Sequence, residues 1–450
     1  MTSICEALKL HKYFTTLNYN IDKKYKGFKM VKFSSLYFAL FILSLNAQTL
    51  SLQECIDKTI HNHPDIKSSA LVISQAKTMT TIMQAGYLPQ IALNAEYDPL
   101  RTYALPANGL FRTIESDNFQ VAAVLNQKIW DFSKTSSTIK AYEKAESIAK
   151  LSLKENEALI VFNVKVQYGL MLVHKKALEV REQELKAKEE LYKQAKALVR
   201  EGIKTSADAS SFLSALYIAK DNLAIAQANF NKAKSTLSLY INEDISPDII
   251  LEENILSPKD LDKEFAQDTL LKNILLQSPK LQRSAQEITK SELLYKATKA
   301  SHYGSLDAIA SYTYVNSLNE YDSTLLGVTL NIPLYSGGKI SAQAQQAKLA
   351  KEYAKEIYNS KELSLRAELQ ALLIDIQRYK STIQAKKSLI HSAEATKKVL
   401  QARYKEGLST YIEVLDATST YYDARLGLLQ AKFDRANIMN RLDYLQGKIK

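Results

Sequence analysis

The chain contains the same unit twice, and this internal repeat constrains the fold more than any single residue does. The segment His63-Pro64-Asp65-Ile66 recurs as Ser278-Pro279-Lys280-Leu281, 215 residues later, and Arg200-Glu201-Gly202-Ile203 recurs as Lys405-Glu406-Gly407-Leu408, 205 residues later. Each copy runs in the same order: a proline-started helix, an alternating strand pair, a very long helix, a turn with one glycine, and a second long helix. A duplicated unit of this kind predicts a symmetric assembly.

Each copy predicts a helix that is too long for an ordinary globular domain. Residues 134–246 and 334–450 contain none of the eight prolines, and proline in a helix interior costs about 3 kcal/mol. Apolar residues recur there at steps of three and four, which is the spacing of a helix face. The two stripes are Phe162, Val166, Leu170, Val173, Ala177 and Val180, and Leu365, Leu369, Leu372, Ile376, Tyr379 and Ile383. The pattern predicts helices over 133–201 and 339–406, each about 100 Å long, with partner helices near 205–241 and 410–446.

Period-two alternation between the helices predicts four strands of about ten residues, the length of a membrane-crossing strand. Residues 119–129 place Phe119, Val121, Ala123, Leu125 and Ile129 on one face, and residues 324–334 do the same with Thr324, Leu326, Val328, Leu330, Ile332 and Leu334. Weaker alternation occurs at 90–97 and 305–315. Aromatic residues lie in or beside the strands, as in interfacial girdles: Tyr87, Tyr97, Trp130, Tyr312, Tyr314 and Tyr335. A soluble sheet with one wet face remains the alternative. Residues 98–117 are expected to form a long loop, with a shorter counterpart at 316–322.

The N-terminal segment has the layout of an export signal. Residues 1–29 are expected to be a mis-assigned start, and residues 30–47 a signal peptide with an apolar run from Leu36 to Leu45. Residues 1–47 hold seven lysines and two acidic residues, so their removal lowers the net charge from +11 to +6. Without a clustered basic stripe, no nucleic-acid partner is expected. The mature chain keeps one cysteine, Cys55, so no internal disulfide is expected.

Four strands cannot close into a barrel, and lipid does not tolerate open sheet edges. If the strands cross a membrane, several protomers must share one barrel: two copies would supply eight strands and three copies twelve.

Three segments resemble the family of TolC-type outer-membrane efflux proteins. They are the stretch 402–418 (ARYKEGLSTYIEVLDAT), the opening from Leu50 to Pro64, and the strand-to-helix junction from Leu330 to Gly338. The resemblance implies a mainly α fold with a transmembrane β part, in which three chains share a twelve-stranded outer-membrane barrel joined to a periplasmic helical barrel. It divides the chain into a first repeat (48–246), a connecting segment (247–270) and a second repeat (271–450).

By the same resemblance, the protein is an outer-membrane homotrimer, in contact with lipid, that extends into the periplasm and conducts substrates passively from an inner-membrane pump through a periplasmic adaptor. The tip turns at Gly202, Ile203, Gly407 and Leu408 would receive the adaptor. Glu413 and Asp416 lie three apart on one helix face, and threefold copies would form acidic rings that favour cations. A solvated acidic face is the alternative.

The resemblance also assigns Tyr404 and Asp208 to contacts that hold the tip closed. Ser409 stands where family members often carry arginine, which implies fewer charged contacts and easier opening. Neither a catalytic set nor a cofactor or metal site emerges from the sequence, since the histidines are scattered and no phosphate-binding loop is present. An enzyme is therefore not expected. Two alternatives stay open: the outer-membrane component of a type I protein-secretion system, which shares this architecture, and a soluble periplasmic coiled-coil scaffold.

Overall fold

The computed structural model describes residues 49–107, 109–246, 250–256 and 267–449. The expected extension (1–29) and signal peptide (30–47) lie outside these residues, as does most of the connecting segment 247–270. Nearly all of the described chain belongs to one compact unit, Leu50–Ile245 with Leu251–Lys450.

The first copy begins with a two-residue strand and ends with a long helical hairpin. In chain order its elements are β1 (Thr49–Leu50), α1 (Leu52–Asn62), α2 (Pro64–Gln84), a 3₁₀ turn (Ala85–Tyr87), β2 (Gln90–Ala107), β3 (Leu110–Trp130), α3 (Lys134–Arg200) and α4 (Ser206–Ile241).

The second copy repeats this order after a short connection. Its elements are β4 (Ile250–Leu251), a 3₁₀ turn (Glu253–Leu256), α5 (Gln267–Gln277), α6 (Pro279–Ala300), β5 (Ser305–Asn316), β6 (Glu320–Asn331), α7 (Lys339–Lys405) and α8 (Tyr411–Leu445). The helices α3 and α7 have 67 residues each. The four long helices begin and end within one residue of the sequence expectation, which is confirmed.

The predicted apolar stripes agree with burial in α7 but only partly in α3. In α7, Leu365, Leu369 and Ile383 are buried and the other three stripe residues are half-buried. In α3, only Val173 and Val180 of the predicted stripe are buried, and the inner face also holds Val161, Val164, Tyr168 and Met171. The difference has a packing cause: α3 contacts four helices, α2, α4, α6 and α8. It therefore buries more than one stripe of side chains, and a single apolar stripe describes it poorly.

The four long strands form one antiparallel sheet in the order β2-β3-β5-β6. Its register aligns the apolar faces of all four strands, because Leu93 pairs with Ala123, Ala123 with Tyr312, and Tyr312 with Thr324. Two residues farther along each strand, the same alignment holds for Ile91, Leu125, Ala310 and Leu326. The faces predicted from alternation for β3, up to Leu125, and for β6 are therefore confirmed, and they align with one face of β2 and β5. In this sheet, β2 and β6 are the two edge strands.

The expectation of a long loop over 98–117 is wrong. Beyond a register shift between Asp98 and Arg101, the pairing of β2 with β3 continues to Ala107 and Leu110, so most of this segment is a hairpin that extends past β5 and β6. Pro99 and Pro106 suggested a loop, but Pro99 lies at the irregularity and both lie on an edge strand, where a missing N–H is tolerated. The shorter counterpart is a turn at 317–319. At the other end, β6 stops at Asn331, so Ile332 and Leu334 lie outside the strand that alternation predicted.

The long helices contact one another in the order α4–α3–α8–α7. Near the sheet, α3 packs between α2 and α6, and α6 packs on α7; farther along, α3 packs between α4 and α8, and α8 packs on α7. Large apolar side chains are exposed on the outer members, including Ile218 and Ile225 on α4 and Leu363 and Ile374 on α7.

Of the helices that the structure describes, none is both long and apolar enough to cross a bilayer.

Candidate functional site

Two helical turns, one from each copy, lie side by side and contain most of the residues that the sequence singled out. In the first, the N–H of Gly202 donates to the Val199 carbonyl and the N–H of Ile203 to the Leu198 carbonyl. In the second, Gly407 donates to Tyr404 and Leu408 to Arg403. Both patterns are Schellman motifs, which require a left-handed residue after the helix.

The two glycines supply that conformation, with φ of +74° at Gly202 and +76° at Gly407. Their turns also approach each other, since Cγ2 of Ile203 lies 3.7 Å from the position that a Cβ on Gly407 would take. Ile203 and Leu408 remain 51% and 67% exposed. The four residues expected to meet an adaptor therefore lie together, with two apolar side chains presented to solvent.

Both outgoing helices begin with a capping box, and this gives Asp208 and Glu413 a local role that the sequence interpretation missed. The Asp208 carboxylate accepts from the backbone N–H and the hydroxyl of Thr205, at 3.0 and 3.1 Å. Glu413 does the same with Thr410, at 2.7 and 3.0 Å. The hydrogen bond from the Thr410 backbone, followed by that from its hydroxyl, lowers the pKa of Glu413. Thr-x-x-Asp and Thr-x-x-Glu are readable signals for this motif.

Tyr404 is fully buried beneath the two turns. Its ring makes an edge contact with Phe212 on α4, at 5.3 Å between centroids. The same cluster contains Leu191 and Ala195 of α3 and Val414 of α8, so Tyr404 joins all four long helices. Burial, and secondarily the charge of Asp208, raises the pKa of Tyr404 to about 12. Its hydroxyl has no hydrogen-bond partner among the described residues.

Ser409 is buried, with 6% of its surface exposed, and its two oxygens have different partners. The hydroxyl donates to the Leu400 carbonyl of α7 at 3.0 Å. The Ser409 carbonyl accepts from Nζ of Lys204, at 3.1 Å, and Nζ also lies 4.9 Å from the centroid of the Tyr404 ring. The second copy lacks a cation at this position, but Lys204 supplies one from the first copy.

Asp416 is exposed and lies away from the capping boxes, along a groove of about 440 Å³ lined by α3, α4 and α8. The same groove contains Arg181, Glu184 and Lys188. Glu184 and Lys188 are buried, Arg181 pairs with Glu184, and Nζ of Lys188 lies 3.3 Å from the Ser419 hydroxyl. Burial lowers the pKa of Lys188. The sequence interpretation missed these charges because it read α3 only through its apolar positions.

The arrangement offers negative charge and exposed apolar side chains on two adjacent helix turns. In the ranges that the structure describes, no three His, Cys, Asp or Glu side chains come together as metal ligands would.

Comparison with known proteins gives a consistent result. The family model described as "Outer membrane efflux protein" matches residues 55–243 and 270–448. The chain is 24% identical to the outer membrane protein TolC of Escherichia coli (strain K12) over 415 residues, which cover 86% of this chain and 80% of TolC. Its fold is similar to that of CusC, with a TM-score of 0.79 at 17% identity, covering 88% of this chain and 92% of CusC. It is also similar to the outer membrane protein VceC of Vibrio cholerae, with a TM-score of 0.76 at 14% identity, covering 88% and 96%.

Proposed function

Because the chain belongs to the outer membrane efflux protein family, we propose that three copies form one continuous passive duct through the outer membrane and into the periplasm. The proteins of this family are channels of the outer membrane, so the protein is an outer-membrane efflux protein. Assembly into a trimer and coupling to an adaptor and an inner-membrane pump are part of the proposal.

The single observation that carries the proposal is the four-stranded sheet with a continuous apolar face and two free edges. The apolar face suits lipid, whereas the edges at β2 and β6 leave backbone groups that lipid cannot satisfy. Pairing of β6 of one copy with β2 of the next removes every edge, and three copies then give twelve strands. The exposed apolar side chains on α4 and α7 support a similar closure among the helices. In a trimer, α4 of one copy would pack on α7 of the next, and both apolar surfaces would be covered.

Two substitutions on neighbouring residues of β6 test the membrane assignment. Val328 lies on the apolar face and Thr329 on the opposite face. An arginine on the lipid face of a barrel costs about 2–4 kcal/mol near the midplane, so Val328→Arg should reduce the amount of protein assembled in the outer membrane. Thr329→Arg is the matched control and should assemble. Equal recovery of both variants in the soluble periplasmic fraction would exclude the barrel and favour the scaffold alternative.

The assembly and the conductance need separate measurements. Protein purified from outer membranes should show the mass of three chains by native mass spectrometry, and it should form ion-conducting channels in planar bilayers. A stable monomer, or a trimer that never conducts, would contradict the duct.

At the tip, we propose that the acidic groups Asp208, Glu413 and Asp416 give the entrance its preference for cations. Threefold repetition would place rings of like charge at the opening, as pores use elsewhere. The capping bonds lower the pKa of Glu413 and so favour its ionised form, which makes capping and ring formation compatible at this residue. Tyr404, a residue of α7, would hold the tip closed through the packing of its ring, since its cluster contains residues of the other three long helices.

We also propose that an adaptor binds the two turns, through Ile203 and Leu408, and links the duct to an inner-membrane pump. The exposure of these apolar side chains on neighbouring glycine turns supports this. A pull-down with a purified periplasmic adaptor would test it: Leu408→Asp should weaken binding, whereas Lys150→Asp, at an exposed polar position on α3 distant in sequence from the turns, should not. The type I secretion alternative requires the same surface and differs only in the pump.

A further inference from the structure

We propose that the extended hairpin of β2 and β3, residues 101–116, packs against the same hairpin of the other two copies across the outer mouth of the duct. The second half of the sheet has no such extension, because β5 and β6 are joined by the short turn 317–319. The inference rests on the proposed trimeric duct. It gives the extended hairpin one partner, which is a second copy of this chain.

The two faces of the extended hairpin differ in burial. Asn118 pairs with Asp98 and comes just before Phe119 of the apolar face, so strand alternation places Asn118 on the opposite, inner face of the sheet. Asn118 is buried, with 2% of its surface exposed. The residues that continue its face are half-buried and those of the outer face are exposed: Tyr103, Ile114 and Ser116 on the inner face, and Thr102, Thr113, Glu115 and Asp117 on the outer face.

The inner face is covered in part by the turn between β5 and β6. Tyr103 lies on the edge strand β2, with β3 between it and β5, yet its hydroxyl is hydrogen-bonded to the hydroxyl of Ser317 in that turn. The contact therefore crosses β3 on the inner side of the sheet. At the base of the hairpin, the Asp98 carboxylate accepts from Nδ2 of Asn118 at 3.3 Å and lies 3.5 Å from Nη1 of Arg101, beside the register shift. Irregularities of this kind bend a strand pair, so the extended hairpin is held toward the inside of the barrel.

The extended hairpin is long enough to reach the axis of the barrel. Residues 110–118 of β3 continue beyond its last pair with β5, at Phe119, and span about 26 Å at about 3.3 Å per residue. A barrel of twelve strands that are spaced about 4.8 Å apart and tilted by about 40° has a radius of about 12 Å. Three hairpins that bend inward from the rim therefore meet near the axis.

The ends of the hairpins carry side chains that suit a contact between copies. Leu110 and Phe111 are 77% and 78% exposed in the single chain. Because the hairpins bend away from the lipid side, these side chains would lie in water if the hairpins stood apart, and burial of apolar surface is favourable by about 25 cal/mol per Å². Contact among the three copies covers them. Arg112 lies behind the end of the hairpin on the inner face, so its charge stays in the water of the lumen.

Cross-linking of the assembled protein tests the contact directly. The only cysteine in residues 48–450 is Cys55, which is fully buried, so a single introduced cysteine reports on its own position. Leu110→Cys should cross-link between copies when outer membranes are treated with a short bismaleimide. Since the reagent joins two of the three thiols around the axis, about two thirds of the chains should run as a covalent dimer on a denaturing gel. Glu115→Cys, at an exposed position on the outer face of the same hairpin, is the matched control and should run as a monomer.

Native mass spectrometry of the same samples separates the inference from the proposed duct. A trimer in which Leu110→Cys cross-links no more than Glu115→Cys would overturn the inference and leave the duct intact, whereas a monomer would remove the duct itself. In the Leu110→Cys chain, Tyr103→Phe should slow cross-linking about five-fold, as expected for one lost hydrogen bond. An unchanged rate would overturn the role of the Tyr103 contact in holding the extended hairpin inward.

Discussion

A buried tyrosine can hold a channel tip closed in two ways, by packing of its ring or by a hydrogen bond from its hydroxyl. At Tyr404 the structure favours packing. The ring is fully buried against Phe212, Leu191 and Val414, whereas the hydroxyl has no partner among the described residues. Replacement by alanine would remove the ring and leave a cavity shared by four helices. Replacement by phenylalanine would remove only the oxygen.

The two substitutions should therefore act in opposite directions. Truncation of a core aromatic residue to alanine costs roughly 3–5 kcal/mol. The lower figure corresponds to about 100-fold faster exchange at the tip, since 1.4 kcal/mol is tenfold. A buried polar group without a partner costs about 1–3 kcal/mol, so Tyr404→Phe should leave exchange unchanged or slow it, by about five-fold if 1 kcal/mol is recovered.

Exchange rates of peptides around 187–200 and 400–416 measure this, with bilayer open probability as the second assay. Tyr404→Ala should open the channel and loosen both peptides, while Tyr404→Phe should behave as wild type or more tightly closed. A Tyr404→Phe variant that exchanges as fast as Tyr404→Ala would refute the reasoning. It would show that the hydroxyl acquires a partner in the trimer and acts through it.

Three further predictions concern the turns and the acidic groups. Asp416→Asn should shift the reversal potential in a salt gradient toward that of a non-selective pore; an unchanged potential would place Asp416 outside the conduction path. Gly407→Ala forces a side chain into the left-handed region at a cost of about 1 kcal/mol, so exchange at the end of α7 should rise about five-fold; no change would contradict the observed φ. The pKa of Glu413 lies below its ordinary 4.5 in the folded chain, so its contribution is present above pH 4.5 and is lost as the pH falls through the folded pKa. Acidification should therefore loosen the start of α8 in wild type but not in Glu413→Gln, and equal pH profiles would contradict this.

The sequence predicted the long elements well because their signals are long. Absence of proline over more than 100 residues and sustained periodicity define α3 and α7 almost to the residue. Alternation likewise gave the apolar face of the sheet, since one misplaced residue would have put Leu125 and Leu326 on the polar side. The hairpin beyond Asp98 was missed because proline excludes a residue only from central strands. Whether a strand lies at an edge depends on the other strands of the sheet, so the segment's own sequence does not show it.

The sequence predicted the positions of the two helix turns, but not the contacts that the turns make. Position and residue type brought Gly202, Gly407 and Tyr404 to the tip, yet the Lys204 contact spans 205 residues. No local pattern encodes such a contact. Asp208 and Glu413 illustrate the opposite case: a short capping signal explains both, and it was overlooked because the family resemblance had already given them another role.

The two copies share the residues that form the turn and differ at residues that contact the neighbouring hairpin. Both keep the glycine, the threonine cap and the acidic capping residue, so the same backbone is formed twice. They differ at Val199 against Tyr404 and at Lys204 against Ser409, and these differences lie at the junction between the hairpins. If the Tyr404 ring holds the tip closed by packing between the hairpins of one protomer, opening must separate the two turns of that protomer. A disulfide within one protomer across the two turns should then block opening, and bilayer recordings that show undiminished opening would contradict the packing role of Tyr404.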